Sequence, residues 1–367
     1  MVWLVLFFFQ VAWRAAHAAS ASSSPPVQAD VGVSYGAESN VFLSERNRHG
    51  DSFIKLNGTL SAVLQPTRTS FLLVLFDGSH QRFLQLGQAD RTFANLAAHY
   101  RYALRPSLVV GVSNTLSFVD LILLDTEGDA LPQGQFRALG DKIRLYGVAT
   151  PMRPLQLEGG VFYRRFDMDD FSDDPSLDFA QTGADVSVKH RMTPAWTAEA
   201  GYEYSHFSYD ERKARTRDSS FTGVVDPNTP DLRLDRHEAS SVVRYSGPPG
   251  FEASLKAKLL ANRDRFQNDL SYWQGEVRAS ARIGAQARGE LLLQAGYKHR
   301  VYDERSREIN SPDKLREAFY TGEAEWTQQI WKMLHASLHY QLITKQSNAP
   351  LRGYVNHVGL VGARAIW

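Results

Sequence analysis

Lysine, arginine and glutamate recur at every second position along stretches of this chain, and that spacing is the chemistry it offers. Gln274, Glu276, Arg278, Ser280 and Arg282 alternate with Trp273, Val277, Ala279, Ala281 and Ile283. Glu252, Ser254, Lys256 and Lys258 alternate with Phe251, Ala253, Leu255, Ala257 and Leu259. The same device places Lys142, Arg144, Arg164, Lys189, Arg191, Arg244, Arg288, Lys298 and Arg300 in one set with Glu158, Asp185, Glu199, Glu203, Glu238, Glu290, Glu323 and Glu325. A helix cannot gather alternate residues on one side, whereas a strand lines them along a single face. A wall of fixed charges facing water attracts, repels and passes ions and polar solutes. Basic residues slightly outnumber acidic ones in this set, which favours anions. The other reading of the same charges is a lumen closed by dense salt bridging.

Bond-making chemistry finds no matching pattern. No G-x-S-x-G, Walker A or H-E-x-x-H motif is present. His335 and His339 share one strand face, but no nucleophile and third partner can be placed beside them. The remaining strand histidines, among them His190, His206, His237, His299 and His357, suit strand ends near lipid headgroups. The acidic run Asp167, Asp169, Asp170, Asp173, Asp174 lacks the Gly and the closing Glu of a calcium loop, so a solvated loop is the better reading. Asp210 to Asp218 mixes both signs and can touch anionic lipopolysaccharide, although a plain exposed loop suits it better. We therefore expect no enzyme, no metal and no cofactor.

The elements that carry these charges are strands with two different faces. Ile54, Leu56, Leu60, Ala62 and Leu64 oppose Lys55, Asn57, Thr59, Ser61 and Gln65. A soluble sandwich also alternates, but its strands usually run about five or six residues. These runs reach the ~9–11 residues that a tilted strand needs to cross a bilayer. Connections alternate in length as well. Short ones fall at 65–69, 104–107, 150–154, 192–195, 246–250, 284–287 and 329–332. Long polar ones fall near 44–50, 77–90, 122–135, 168–176, 210–234, 264–269, 303–316 and 347–351. That pattern predicts an all-β, transmembrane, antiparallel up-and-down β-barrel of about 16 strands, with roughly 14 or 18 as alternatives. An even count puts both termini on the short-turn side, which would be periplasmic.

Aromatic residues cluster near the expected strand ends: Tyr35, Phe42, Phe53, Tyr100, Tyr102, Tyr146, Phe162, Tyr163, Trp196, Tyr202, Tyr204, Tyr245, Trp273, Tyr297, Trp326, Trp331, Tyr340 and Tyr354. Tyr and Trp favour the headgroup zone, where a ring is half apolar and half wet. The set reads as two interfacial girdles.

Composition and chain ends agree. Met1 to Trp13 is almost wholly apolar and is followed by small residues of Ala-x-Ala type. It is too short for a membrane helix and suits a secretory signal peptide over 1–18, despite having no Lys or Arg before Arg14. A flexible leader is expected over 19–29 and the barrel over 30–367. The 41 Lys and Arg against 40 Asp and Glu argue against a nucleic-acid binder. With no Cys, the chain is not a disulfide scaffold.

The final run, Tyr354 to Trp367, reads as a strand ending on an aromatic, with Val355, Val361, Ala365 and Trp367 on one face. Such a strand resembles the closing strand of bacterial outer-membrane β-barrels. Val33-Ser-Tyr-Gly-Ala-Glu-Ser-Asn-Val-Phe-Leu43, with its small-acidic-x-Asn-hydrophobic-Phe core, resembles the first strand of many proteobacterial barrels, including some encoded in exopolysaccharide loci. The resemblance implies a place in the outer membrane among its lipid and lipopolysaccharide. It also implies insertion by the barrel-assembly machinery, with Trp367 as the assembly signal, and it raises polysaccharide-export partners. The expected function is a water-filled pore or conduit for hydrophilic solutes or an exported polysaccharide. Its candidate lining is Lys142, Arg144, Arg164, Lys189, Arg191, Lys256, Lys258, Glu276, Arg278, Arg282, Glu290 and Lys298. The rival is a non-conducting scaffold or adhesin that works through its long loops.

Overall fold

A computed structural model describes residues 27–46, 48–122, 135–168, 178–214, 228–285, 289–306, 312–350 and 352–366. Sixteen strands run in chain order: β1 (Val27–Glu38), β2 (Asp51–Thr67), β3 (Ser70–Phe83), β4 (Arg91–Arg105), β5 (Leu108–Ile122), β6 (Gln135–Met152), β7 (Leu155–Met168) and β8 (Phe179–Arg191). They continue with β9 (Trp196–Lys213), β10 (Asp231–Ser246), β11 (Phe251–Asp264), β12 (Tyr272–Ala285), β13 (Gly289–Ser306), β14 (Lys314–Trp331), β15 (Leu334–Ser347) and β16 (Tyr354–Ile366). Each strand pairs antiparallel with its sequence neighbours, and β1 pairs with β16 from Asp30↔Ile366 to Glu38↔Val358. The sheet is therefore a closed barrel with no free edge, and every strand has a partner on both sides.

Alternation fixes which face is which. Val31, Val33 and Tyr35 on β1 sit in register with Ile54, Leu56 and Gly58 on β2. They continue one outward face around the barrel. Leu56, Leu145, Val161, Leu255, Leu259, Leu338 and Val361 lie on it, each more than half exposed. So large an apolar surface needs a cover other than water, and a belt around a barrel matches the hydrocarbon of a bilayer. The opposite face holds the fully buried side chains Phe53, Tyr302, Glu317 and Asn356, so it is the concave one.

Strands run for 12 to 18 residues, beyond the ~9–11 needed to cross a bilayer. The surplus lies at the long-loop end. β3 continues to Phe83, β9 to Lys213 and β13 to Ser306, where loops were expected from residues 77, 210 and 303. Asp77 looks like a loop residue by type, but it sits within β3 on the concave face opposite Thr59, and Lys213 pairs with Asp231 at the end of β9. The first strand begins at Val27 rather than at residue 30.

The short-turn end is tight. Register shifts occur beside four turns, at Leu64/Thr67, Ala103/Arg105, Ala149/Met152 and Gln329/Trp331, where an extra residue adds local twist. In the turn after β10, Gly250 takes φ 88° and a Cβ there would meet the carbonyl oxygen of Gly284 at 2.6 Å. Only glycine fits that position without strain.

The long-loop end is packed. Three small apolar clusters sit there on the concave side. One joins Val41, Phe53, Phe83 and Ala89. The second joins Leu260, Tyr272, Tyr302, Leu315 and Ala349. The third joins Phe207, Tyr209, Ala214, Leu232, Leu234 and Leu270. Strand ends and inward-folded loop residues supply them, so the mouth on this side is narrowed by packed side chains.

Candidate functional site: the charged inner wall

Register places all twelve candidate lining residues on the concave face. Lys142 and Arg144 lie on β6, Arg164 on β7, Lys189 and Arg191 on β8. Lys256 and Lys258 lie on β11, Glu276, Arg278 and Arg282 on β12, and Glu290 and Lys298 on β13. Trp367 lies outside the described residues, as do Arg288 and residues 1–26 with the expected signal peptide. Val355, Val361 and Ala365 share the outward face.

Some of these charges are matched. Arg144 donates from Nη1 to Glu158 at 2.8 Å and from Nε to Asp185 at 2.9 Å, reaching from β6 past β7 to β8. Its guanidinium also lies 4.8 Å from the ring centroid of Tyr146. The Tyr146 hydroxyl accepts from Arg101 Nε at 3.0 Å, which extends the network to β4. Lys258 pairs with Glu238 at 2.7 Å, Arg278 with Glu276 at 3.3 Å and Arg282 with Glu290 at 3.4 Å. Arg244 pairs with Glu199 at 3.0 Å. Nearer the packed mouth, Glu317 receives Lys345 at 2.8 Å and Arg300 at 3.9 Å.

Six of these twelve are cations without a carboxylate, while Glu203 and Glu325 on the same face are carboxylates without a cation among the described residues. Lys142, Arg164, Lys189, Arg191, Lys256 and Lys298 make no ion pair among the described residues. Lys142 faces Arg164 directly across the β6–β7 pairing, and Lys256 faces Arg278 across β11–β12. Like charges directly opposite one another destabilise a sheet, and of these four only Arg278 has an ion pair among the described residues. Aromatic faces take up part of the charge instead. Lys142 Nζ lies 4.2 Å from the Phe162 centroid, Lys298 Nζ 3.9 Å from Phe319, and Arg164 5.0 Å from Phe166. Such contacts stabilise a cation and leave it its charge.

The aromatic partners are what the residue-type argument missed. Phe53, Tyr146, Phe162 and Tyr354 were expected in the interfacial girdles, yet they lie on the concave face. Phe162 and Tyr146 are buried beneath lumen arginines and lysines. Parity was the available signal, since Phe162 shares it with Arg164 and Tyr146 shares it with Arg144. Small neighbours make room: a Cβ on Gly183 would collide with the Phe162 ring and with the carbonyl of Tyr204. Tyr35, Tyr100, Tyr102, Tyr163, Trp196, Tyr202, Trp273, Tyr297, Trp326 and Tyr340 point outward and remain well exposed.

The histidines divide between the faces. His335 and His339 are on the concave face, where His339 meets Glu323 at 3.2 Å. His206 and His237 face outward beside Tyr204 and Tyr202. His206 Nδ1 meets Asp235 at 2.9 Å, and His237 Nδ1 meets the Tyr202 hydroxyl at 2.7 Å. Among the described residues no three His, Asp or Glu side chains converge to hold a metal. Most of the acidic run at 167–174 lies outside the described residues, and Asp167 bonds Arg165 at 2.7 Å on the outward face.

No family model matches the chain, and no curated protein sequence matches it. Solved structures do match in shape. CdiB from Escherichia coli aligns with a TM-score of 0.56 at 14% identity, over 95% of this chain and 64% of that one. An anion-selective porin from Comamonas acidovorans aligns with a TM-score of 0.51 at 11% identity, over 93% of this chain and 98% of that one. A bacterial polysaccharide outer membrane secretin aligns at 0.43 and 10% identity, over 92% of this chain and 98% of that one. That value is too low for the likeness to bear on cargo. With its strand order, outward apolar belt and charged inner wall, the chain has the closed up-and-down fold of the outer-membrane β-barrels.

Proposed function

We propose that this protein is a water-filled pore of the bacterial outer membrane that passes small hydrophilic solutes and favours anions. The observation that carries the reading is the set of six inner-wall cations without a carboxylate partner. A barrel of about 16 strands has the circumference to leave an aqueous channel, and unpaired charge on its wall sets which ions enter. The anion-selective porin of similar shape is a precedent for that function on such a scaffold. No step of catalysis is assigned to the chain. Both termini, being on the short-turn side, face the periplasm in this reading. Trp367 completes the signal read by the barrel-assembly machinery, and lipopolysaccharide surrounds the long-loop rim.

A second reading has its own support. The apolar clusters around Phe53, Tyr302 and Phe207 narrow the long-loop mouth, as a non-conducting scaffold that works through its loops would allow. An exported polysaccharide would need the same mouth to admit an extended polymer. Purified protein in a planar bilayer separates these readings. Discrete conductance steps are expected. Correctly folded protein that never conducts would favour the scaffold. Loss of surface polysaccharide on deletion, with normal uptake of small solutes, would favour export.

A further inference from the structure

The inner wall carries a recess lined by more cations than carboxylates. It centres on Gly296 of β13 and has a volume of about 470 Å³, within the range of small-ligand sites. Arg278, Lys298, Thr321, Glu276, Phe319 and Ile343 line it. Gly296 stands between Arg278 on β12 and Thr321 on β14 in the pairing registers. A Cβ at this position would meet Thr321 Oγ1 at 2.5 Å, so the bare backbone lets that hydroxyl lie over the floor. Phe319 and Ile343 supply an apolar side.

Charge around the recess is out of balance. Arg278, Lys298 and Arg300 line it with one lining carboxylate, Glu276, which takes one bond from Arg278 at 3.3 Å; Glu317 beside it holds Lys345 at 2.8 Å and Arg300 at 3.9 Å, and Lys256 stands across from Arg278. Lys298 is directly opposite Glu276 in the register yet makes no ion pair with it. Repulsion within such a group of cations is relieved when an anion sits among them. An anion alone would not use the rest of the site. The volume, the apolar side and the Thr321 hydroxyl suit a ring with a hydroxylated rim.

We propose that this recess binds a carboxylate-bearing monosaccharide of the uronic-acid type. The carboxylate would lie between Arg278 and Lys298, the ring against Ile343, and a ring hydroxyl on Thr321, with the Phe319 ring holding Lys298 in place. The proposal takes its access route from the pore reading, but binding itself does not depend on conduction.

The test is calorimetric titration of the full-length barrel, refolded in detergent, with D-glucuronate, glucose and acetate. Folding is checked by heat-modifiable migration. Glucuronate should bind, and glucose and acetate should bind at least about tenfold more weakly. Arg278→Gln and Lys298→Gln should each weaken glucuronate about tenfold. Gly296→Val should do the same with no change of charge, because it fills the floor. If that variant does not fold, Thr321→Leu fills the same space. No glucuronate binding overturns the proposal, as does binding indifferent to the filling variant. Equal affinity for acetate overturns the sugar assignment, and equal affinity for glucose overturns the charge assignment. Binding without channels would defeat the pore reading and leave the recess standing. Channels without binding would do the reverse.

Discussion

Asn356 on β16 donates from Nδ2 to Oε1 of Glu38 on β1 at 2.8 Å, inside the seam where the first and last strands close the barrel. Glu38 also receives both terminal nitrogens of Arg91 from β4, at 3.1 and 3.2 Å. The Asn356 carbonyl oxygen accepts from the backbone of Asn40 at 3.1 Å. The Asn40 side chain bonds the carbonyl and amide of Ser44 and so shapes the loop after β1. The short stretch Ala37 to Phe42 that marks the first strand is thus the place where seam, first loop and β4 are tied together.

Glu38 is 3% exposed. Glu38→Ala would leave the Asn356 amide without this acceptor and the Arg91 guanidinium with the Val41 carbonyl at 3.0 Å in place of its carboxylate. Leaving such groups unmatched costs about 1–3 kcal/mol, more for the charged one. The denaturant midpoint of the detergent-refolded barrel should fall accordingly. An unchanged midpoint would mean that the seam holds through backbone pairing alone.

The facing cations Lys142 and Arg164 should govern selectivity more than stability. Replacing both by Gln removes mutual repulsion and two positive charges from the wall. The midpoint should hold or rise, and the reversal potential under a salt gradient should shift toward cations. A shift toward anions, or none, would place these residues away from the ion path.

Gly250 should matter through its backbone. At φ 88° any side chain is strained, and a Cβ has Gly284 at 2.6 Å. Gly250→Val should cost about 1–3 kcal/mol and lower the midpoint of the refolded barrel. A variant as stable as the parent would show that the turn re-forms in another geometry.

Trp367 should act in cells rather than in the folded barrel. A residue read as an assembly signal acts through its contact with the machinery. Trp367→Asp should therefore refold near-normally in detergent and assemble poorly in vivo. Equal defects in both settings would assign the residue to packing, and normal assembly in both would remove its role as a signal.

Much of this was readable from residue types because a strand has a period of two. Once Trp273 is outward, Gln274, Glu276, Arg278 and Arg282 can only be inward, and the register puts them there. Which charges meet was not readable. Arg144 reaches Asp185 two strands away, and that depends on how far each strand slides against the next. Residue type misled where it was preferred to parity, as with Phe53 and Phe162, which follow Lys55 and Arg164 inward. The long-loop ends of β3 and β9 were not readable, because a polar residue such as Asp77 or Lys213 carries no mark that distinguishes an extended strand from a loop.

The most direct measurement is the reversal potential of single channels formed by the purified full-length protein in a planar bilayer under a potassium chloride gradient. Discrete steps with a reversal potential on the chloride side of zero are predicted, because the unpaired Lys142, Arg164, Lys189, Arg191, Lys256 and Lys298 outnumber unpaired carboxylates such as Glu203 and Glu325 on the inner wall. Channels that prefer potassium, or correctly folded protein that stays silent, would contradict the account.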